Sequence, residues 1–154
     1  MLRTFAGIVT ILLTVGVYGS TDYQPTTFIK DTKLIGSLHQ NNEVEMFLGI
    51  PFAVPPINDL RWEKPIAWTP ENKKEITANK FRAACIQNQR IVNWYKRLIL
   101  DFGSDPRTFD IPEFSEDCLY LNLWRPKDAK NNLPVIVYIH GGSNKAGWAY
   151  EPNY

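Results

Sequence analysis

The stretch "LPVIVYIHGGSN", Leu133 to Asn144, sets a continuous apolar run directly against a histidine, two glycines and a serine. A run without polar alternation predicts a strand covered on both faces, as in the middle of a largely parallel sheet. In open α/β sheets the binding crevice lies beyond the carboxyl ends of the strands, and His140, Gly141, Gly142 and Ser143 stand at such an end. Paired glycines allow positive φ, so successive N–H groups can converge on an anion or on an oxygen that becomes one. In acyl transfer that oxygen is the substrate carbonyl, and each preorganised donor contributes roughly 3 to 4 kcal/mol in the transition state. On the tetrad alone, a plain Gly-Gly turn after a strand explains these residues equally well.

Immediately upstream, "KDAKNN" reads as a charged turn. It comes after "SEDCLYLNLWRP", Ser115 to Pro126, where Leu119, Leu121 and Leu123 alternate with Tyr120, Asn122 and Trp124, the period of a strand. An alternating strand followed by a continuous one predicts a step from edge to centre within one sheet. Further back, Ile91, Trp94, Tyr95, Leu98 and Phe102 recur at helical spacing and predict a short helix ended by Gly103 and Pro106. Trp62 and Trp68 fall in an irregular Pro-containing stretch and read as packing anchors. "GIPFAVPP", Gly49 to Pro56, holds three prolines and predicts an extended, packed loop. Before it, "FIKDTKLIGSLH" reads as a strand broken at Gly36, and "QNNEVE" as a turn into a second strand, "VEMFLGI".

The first residues, "MLRTFAGIVTILLTVGVYGS", place a basic head at Arg3, an apolar stretch from Phe5 to Val17 and small residues at Gly19 and Ser20. This order predicts a secretory signal peptide over residues 1–19, with 20–154 as the mature segment. An uncleaved anchor is the alternative, but the stretch falls short of the roughly 20 apolar residues that span a bilayer. In an oxidising compartment Cys85 and Cys118 can pair, and a bridge would contribute roughly 3 to 4 kcal/mol; two free thiols are the other possibility. His39 and His140 lie far from both cysteines without ligand spacing, so no metal site is expected. With 17 Lys and Arg against 16 Asp and Glu, the charge gives no reason to expect nucleic acid or an anionic membrane as partner.

Four motifs decide between the two readings of the tetrad. "FLGIPFAVPP" is similar to F-x-G-I-P-[YF]-A-x-P-P, "LRWEKP" to L-R-F-x-x-P, "SEDCLYLNLWRP" to S-E-D-C-L-Y-L-N-[VI]-x-x-P, and "YIHGGSNKAG" to [WY]-I-[HY]-G-G-G-F-x-x-G. In this order they resemble the N-terminal part of the type-B carboxylesterase and cholinesterase family, serine hydrolases of the α/β-hydrolase fold. The resemblance runs from about Phe28 to Tyr154. It implies an α/β fold with a mixed sheet, a small-molecule carboxylic ester as substrate, and no cofactor. It also implies a disulfide from Cys85 to Cys118 and a buried ion pair between Arg61 and Glu116. Asp117 is an alternative partner for Arg61, and loss of Glu116 is expected to lower secretion.

The same resemblance places the oxyanion-hole amides at Gly142 and Ser143, with Gly141 shaping the turn and His140 as a strand-end residue rather than a catalytic base. Ser143 stands where the family has a third glycine and Asn144 where it has phenylalanine, whereas Gly147 matches. None of Ser20, Ser37, Ser104, Ser115 and Ser143 lies in a G-x-S-x-G context, so no nucleophile, acid or base of a triad is expected within these 154 residues. The expectation is a secreted ester hydrolase whose catalytic serine lies outside this segment. A non-catalytic cholinesterase-like adhesion or binding protein, or an inactive truncated product, is the alternative. Substrate identity and oligomeric state are not legible.

Overall fold

The computed structural model describes residues 23–70, 74–130 and 132–151. The predicted signal segment lies outside them. Among the described residues, eight short strands and one α-helix form two three-stranded sheets and a smaller disulfide-bonded lobe.

The first sheet takes β1 (Thr26–Ile29), β2 (Thr32–Ile35) and β5 (Glu75–Thr77) in the order β1-β2-β5. β1 and β2 form a hairpin that turns at Lys30, φ 52°, where the sequence predicted one strand; "KD" carries no Gly or Asn to announce it. β5 joins β2 in parallel, so the sheet is mixed. The break at Gly36 falls between β2 and β3 (Ser37–Leu38), and β3 pairs with β4 (Val44–Pro51) across the "QNNEVE" region.

β4 is the spine of the second sheet, between β3 and β8 (Tyr120–Pro126), and its register with β8 shifts between Phe47 and Ile50. Leu34, Phe47, Ile50 and Ala78 bury one core between the sheets, with Ile29 and Ile76 against it. Glu45 on β4 is buried, 1% exposed, and faces Arg125 across the β4–β8 ladder. Its carboxylate accepts from Arg125 Nε and from the Tyr23 hydroxyl, while Arg125 also donates to the Thr26 carbonyl at 3.0 Å. A carboxylate stripped of water is tolerable only when its lone pairs are met in this way. The bond to Glu45 is also the main reason the Tyr23 hydroxyl titrates above its ordinary range.

The helix, α1, spans Arg90–Asp101. Val92 and Tyr95 are its buried residues, with Ile91 and Ile99 packed beside them, whereas Trp94 and Phe102 of the predicted stripe face solvent. The helix is therefore rotated relative to the predicted face. Tyr95 stacks on Phe109 at 5.5 Å and meets Trp148 edge-on at 5.9 Å, and these contacts set the rotation. Trp62 is another correction: it is fully exposed in a turn with φ 62° and anchors nothing, while Trp68 is half-buried.

The largest departure concerns "LPVIVYIH". No strand forms over residues 133–140, and among the described residues they pair with no ladder partner. Ile136 is 93% exposed and Val137 80% exposed. β8 stays at the edge of its sheet, so the predicted step from edge to centre is absent. A fully apolar strand needs neighbours on both edges and cover on both faces, and the described residues supply neither.

Candidate functional site

The turn after the apolar run keeps an unusual backbone. Gly142, Ser143 and Asn144 all have positive φ, 118°, 57° and 55°. Lys145 N–H closes the turn on the Gly142 carbonyl at 3.0 Å. Among the described residues, the N–H groups of Gly142 and Ser143 donate to no protein acceptor. A Cβ on Gly142 would stand 1.7 Å from the Ala146 carbonyl oxygen, so only glycine fits there. Ser143 and Asn144 hold the left-handed conformation in spite of their side chains, which costs Asn least. His140 Nδ1 sits 2.9 Å from the Gly141 carbonyl oxygen.

The segment beyond the turn is tied down at three successive residues. The Gly147 peptide pairs with the side-chain carboxamide of Gln87: its N–H donates to Gln87 Oε1 at 2.7 Å and its carbonyl accepts from Nε2 at 2.9 Å. Trp148 N–H donates to Glu151 Oε1 at 3.0 Å, and Tyr95 on α1 donates to the other oxygen of this buried carboxylate at 2.8 Å. Asn122 on β8 donates to the Ala149 carbonyl at 3.2 Å and accepts from Gly49 N–H at 2.9 Å. Beneath them Ala84, Val92, Tyr95, Phe109 and Trp148 form a second core.

That core belongs to the disulfide-bonded lobe. β6 (Ala84–Cys85) runs parallel to β7 (Phe114–Ser115), and Cys85 and Cys118 are bonded, Sγ to Sγ 2.02 Å. The bond closes the segment that contains α1. Nearby, Arg61 Nε donates to Glu116 Oε1 at 2.6 Å, and the second guanidinium nitrogen pairs with Oε2. Asp117, the alternative partner, instead accepts from the Tyr120 hydroxyl at 2.8 Å. The Arg61–Glu116 pair is not buried: its side chains are 53% and 35% exposed. Hydrogen bonding to Arg61 lowers the Glu116 carboxyl, but solvent screens such a pair, and the expected effect of Glu116→Ala on secretion loses its physical basis.

A cleft of about 300 Å³ opens elsewhere on the lobe, lined by Arg82, Glu113, Asp117, Tyr120 and Tyr150 among others. It touches neither Gly142 nor Ser143. Burial first, and then the Asp117 bond, push the Tyr120 hydroxyl up to about 12. Ser115 also lines the cleft, where its hydroxyl oxygen accepts from the Asp117 N–H at 3.1 Å.

Gln87, Tyr95, Asn122 and Glu151 are the supporting residues that the sequence did not single out for the site. Asn122 and Tyr95 read as strand and helix residues, and only the position of Gln87 two residues beyond Cys85 ties it to a motif residue. Their roles depend on contacts 27 to 73 residues away in sequence, which no local pattern announces.

Solved structures place this arrangement among the α/β-hydrolase esterases. A thermophilic PNB esterase superposes with a TM-score of 0.67 at 29% identity, over 84% of this chain and 24% of that one. Aspergillus niger EstA superposes with a TM-score of 0.62 at 27% identity, over 88% and 22%. The model of the carboxylesterase family matches residues 24–153, and the chain belongs to that family. Carboxylesterase 5A of Mus musculus is 39% identical over 125 residues, 78% of this chain and 20% of its own length. Fumonisin B1 esterase of Sphingopyxis macrogoltabida is 38% identical over 116 residues, 73% and 18% respectively. The chain thus spans about a fifth of the length of these relatives.

Proposed function

We propose that the chain is the oxyanion-hole segment of a secreted carboxylic-ester hydrolase. The observation that carries this reading is the run of positive φ at Gly142, Ser143 and Asn144, with two adjacent amides that have no acceptor among the described residues where the apolar run ends. In the complete enzyme a serine outside residues 1–154 attacks the ester carbonyl. The N–H groups of Gly142 and Ser143 then donate to the oxygen as it becomes negative. Because the donor at 143 is backbone, the serine side chain does not remove it. Its hydroxyl narrows the space for the acyl group, and the chain offers no apolar wall at Asn144. Without a G-x-S-x-G serine, residues 1–154 alone turn over no ester.

Secretion rests on the basic, apolar and small-residue order of residues 1–19 and agrees with a paired Cys85 and Cys118. The departures at Ser143 and Asn144 favour a second reading, a cholinesterase-like binding protein without catalysis. One experiment separates them: the full-length protein, purified from the medium, is assayed against a short-chain aryl ester with and without a serine-directed phosphonate. Phosphonate-sensitive turnover and an N-terminus at Ser20 are expected. A folded, secreted protein with no turnover and no phosphonate adduct would establish the binding reading instead.

A further inference from the structure

We propose that Gln87 is a positioning residue for the oxyanion turn, holding the Gly142 and Ser143 amides through the peptide of Gly147. The proposal rests on the hydrolase reading above. A primary carboxamide is the one side-chain group that copies a peptide, offering a donor and an acceptor side by side. Gln87 uses both on a single residue, at 2.9 and 2.7 Å, and its Nε2 also donates to the Cys85 carbonyl at 3.1 Å. Gln87 is thereby fixed to the backbone of a residue that is itself covalently bonded to Cys118.

Gly147 in turn has no slack against the start of the turn. With φ 117°, a Cβ placed on it would lie 2.4 Å from His140 Nδ1 and 2.5 Å from the Gly141 carbonyl oxygen. Gly142 is pressed as closely against the Ala146 carbonyl. The two ends of the turn therefore touch, and a displacement at Gly147 passes to Gly141 and Gly142 instead of being absorbed. On the downstream side, Gln87 grips the residue that lies against the Gly141 carbonyl.

A donor displaced by about 1 Å from a developing charge can cost on the order of 100-fold in rate. In the full-length protein, Gln87→Met keeps the length of the side chain and removes all three of its hydrogen bonds, the two to Gly147 and the one to Cys85. It is expected to lower kcat for an aryl ester by about 10- to 100-fold with KM within about twofold. The affinity for a trifluoromethyl ketone, which presents a tetrahedral oxyanion, should fall in proportion to kcat/KM. A loss of packing alone would lower the amount of active enzyme without weakening the ketone. Hydrogen exchange of the unmodified protein supplies a second measurement that needs no variant: the Gly147 amide should be strongly protected.

A native protein without turnover overturns the hydrolase reading, and this proposal with it. Native turnover with kcat and ketone affinity retained in Gln87→Met overturns the positioning role alone, and so does an unprotected Gly147 amide. A variant that does not fold leaves the decision to the exchange measurement.

Discussion

The two flanks of one turn behave in opposite ways. Upstream, residues 133–139 form the most apolar run of the described chain, and Ile136 is 93% exposed. Downstream, residues 147–151 hold two glutamine bonds, a buried carboxylate and the Trp148 ring in the second core. Apolar content alone does not produce burial. The run is the more apolar of the two yet stays exposed among the described residues, while the tail is fixed by polar groups that each have a specific mate.

This contrast can be broken most severely at the turn itself. Gly142→Ala forces a Cβ into the Ala146 carbonyl; on the proposed hydrolase reading, turnover of the full-length protein should fall by about 100- to 1,000-fold, the usual cost of losing one oxyanion donor. Cys85→Ser attacks the downstream flank through its lobe. A sequence separation of 33 puts the loss at roughly 3 to 4 kcal/mol, measured by denaturant unfolding under oxidising conditions. Glu151→Ala leaves the Tyr95 hydroxyl and the Trp148 N–H without their shared acceptor, and should cost about 1 to 3 kcal/mol in the same assay. Upstream the expectation reverses: in the 154-residue chain, Ile136→Lys should shift unfolding by less than about 0.5 kcal/mol while raising solubility, followed by light scattering.

The smallest effect belongs to the exposed pair beside the lobe. Arg61 holds the Glu116 carboxyl below its ordinary value, so the pair contributes stability above the unfolded carboxylate pKa and loses it as pH falls through the depressed folded value. Glu116→Gln should flatten that narrow acid dependence of the melting midpoint and leave neutral pH nearly unchanged, as expected for a solvent-screened pair.

Much of the fold was legible because its signals are local. Alternation over Tyr120–Pro126 announced β8, helical spacing announced α1, and the break at Gly36 divided the first strands. The missed hairpin at Lys30 lacks turn chemistry, since lysine in the left-handed region is not announced by its side chain. The rotation of α1 depends on Phe109 and Trp148, residues outside the helix. The cover expected for residues 133–139 failed for a different reason: a continuous apolar run encodes the need for neighbours and not their identity. At the site, Gly141, Gly142 and Ser143 were legible as a motif. Gln87 and Glu151 were not, because a clamp between distant residues leaves no period in the sequence.

The lobe bridged by Cys85 and Cys118 has a further consequence for the order in which the protein is made. Both cysteines and α1 leave the ribosome before residues 133–139, so covalent closure of the lobe does not have to wait for the apolar run to find cover. The tail at 147–151 emerges afterwards and completes the second core of that lobe with the Trp148 ring. The turn can be set at one end while the run beside it is still the part of the nascent chain most in need of a chaperone.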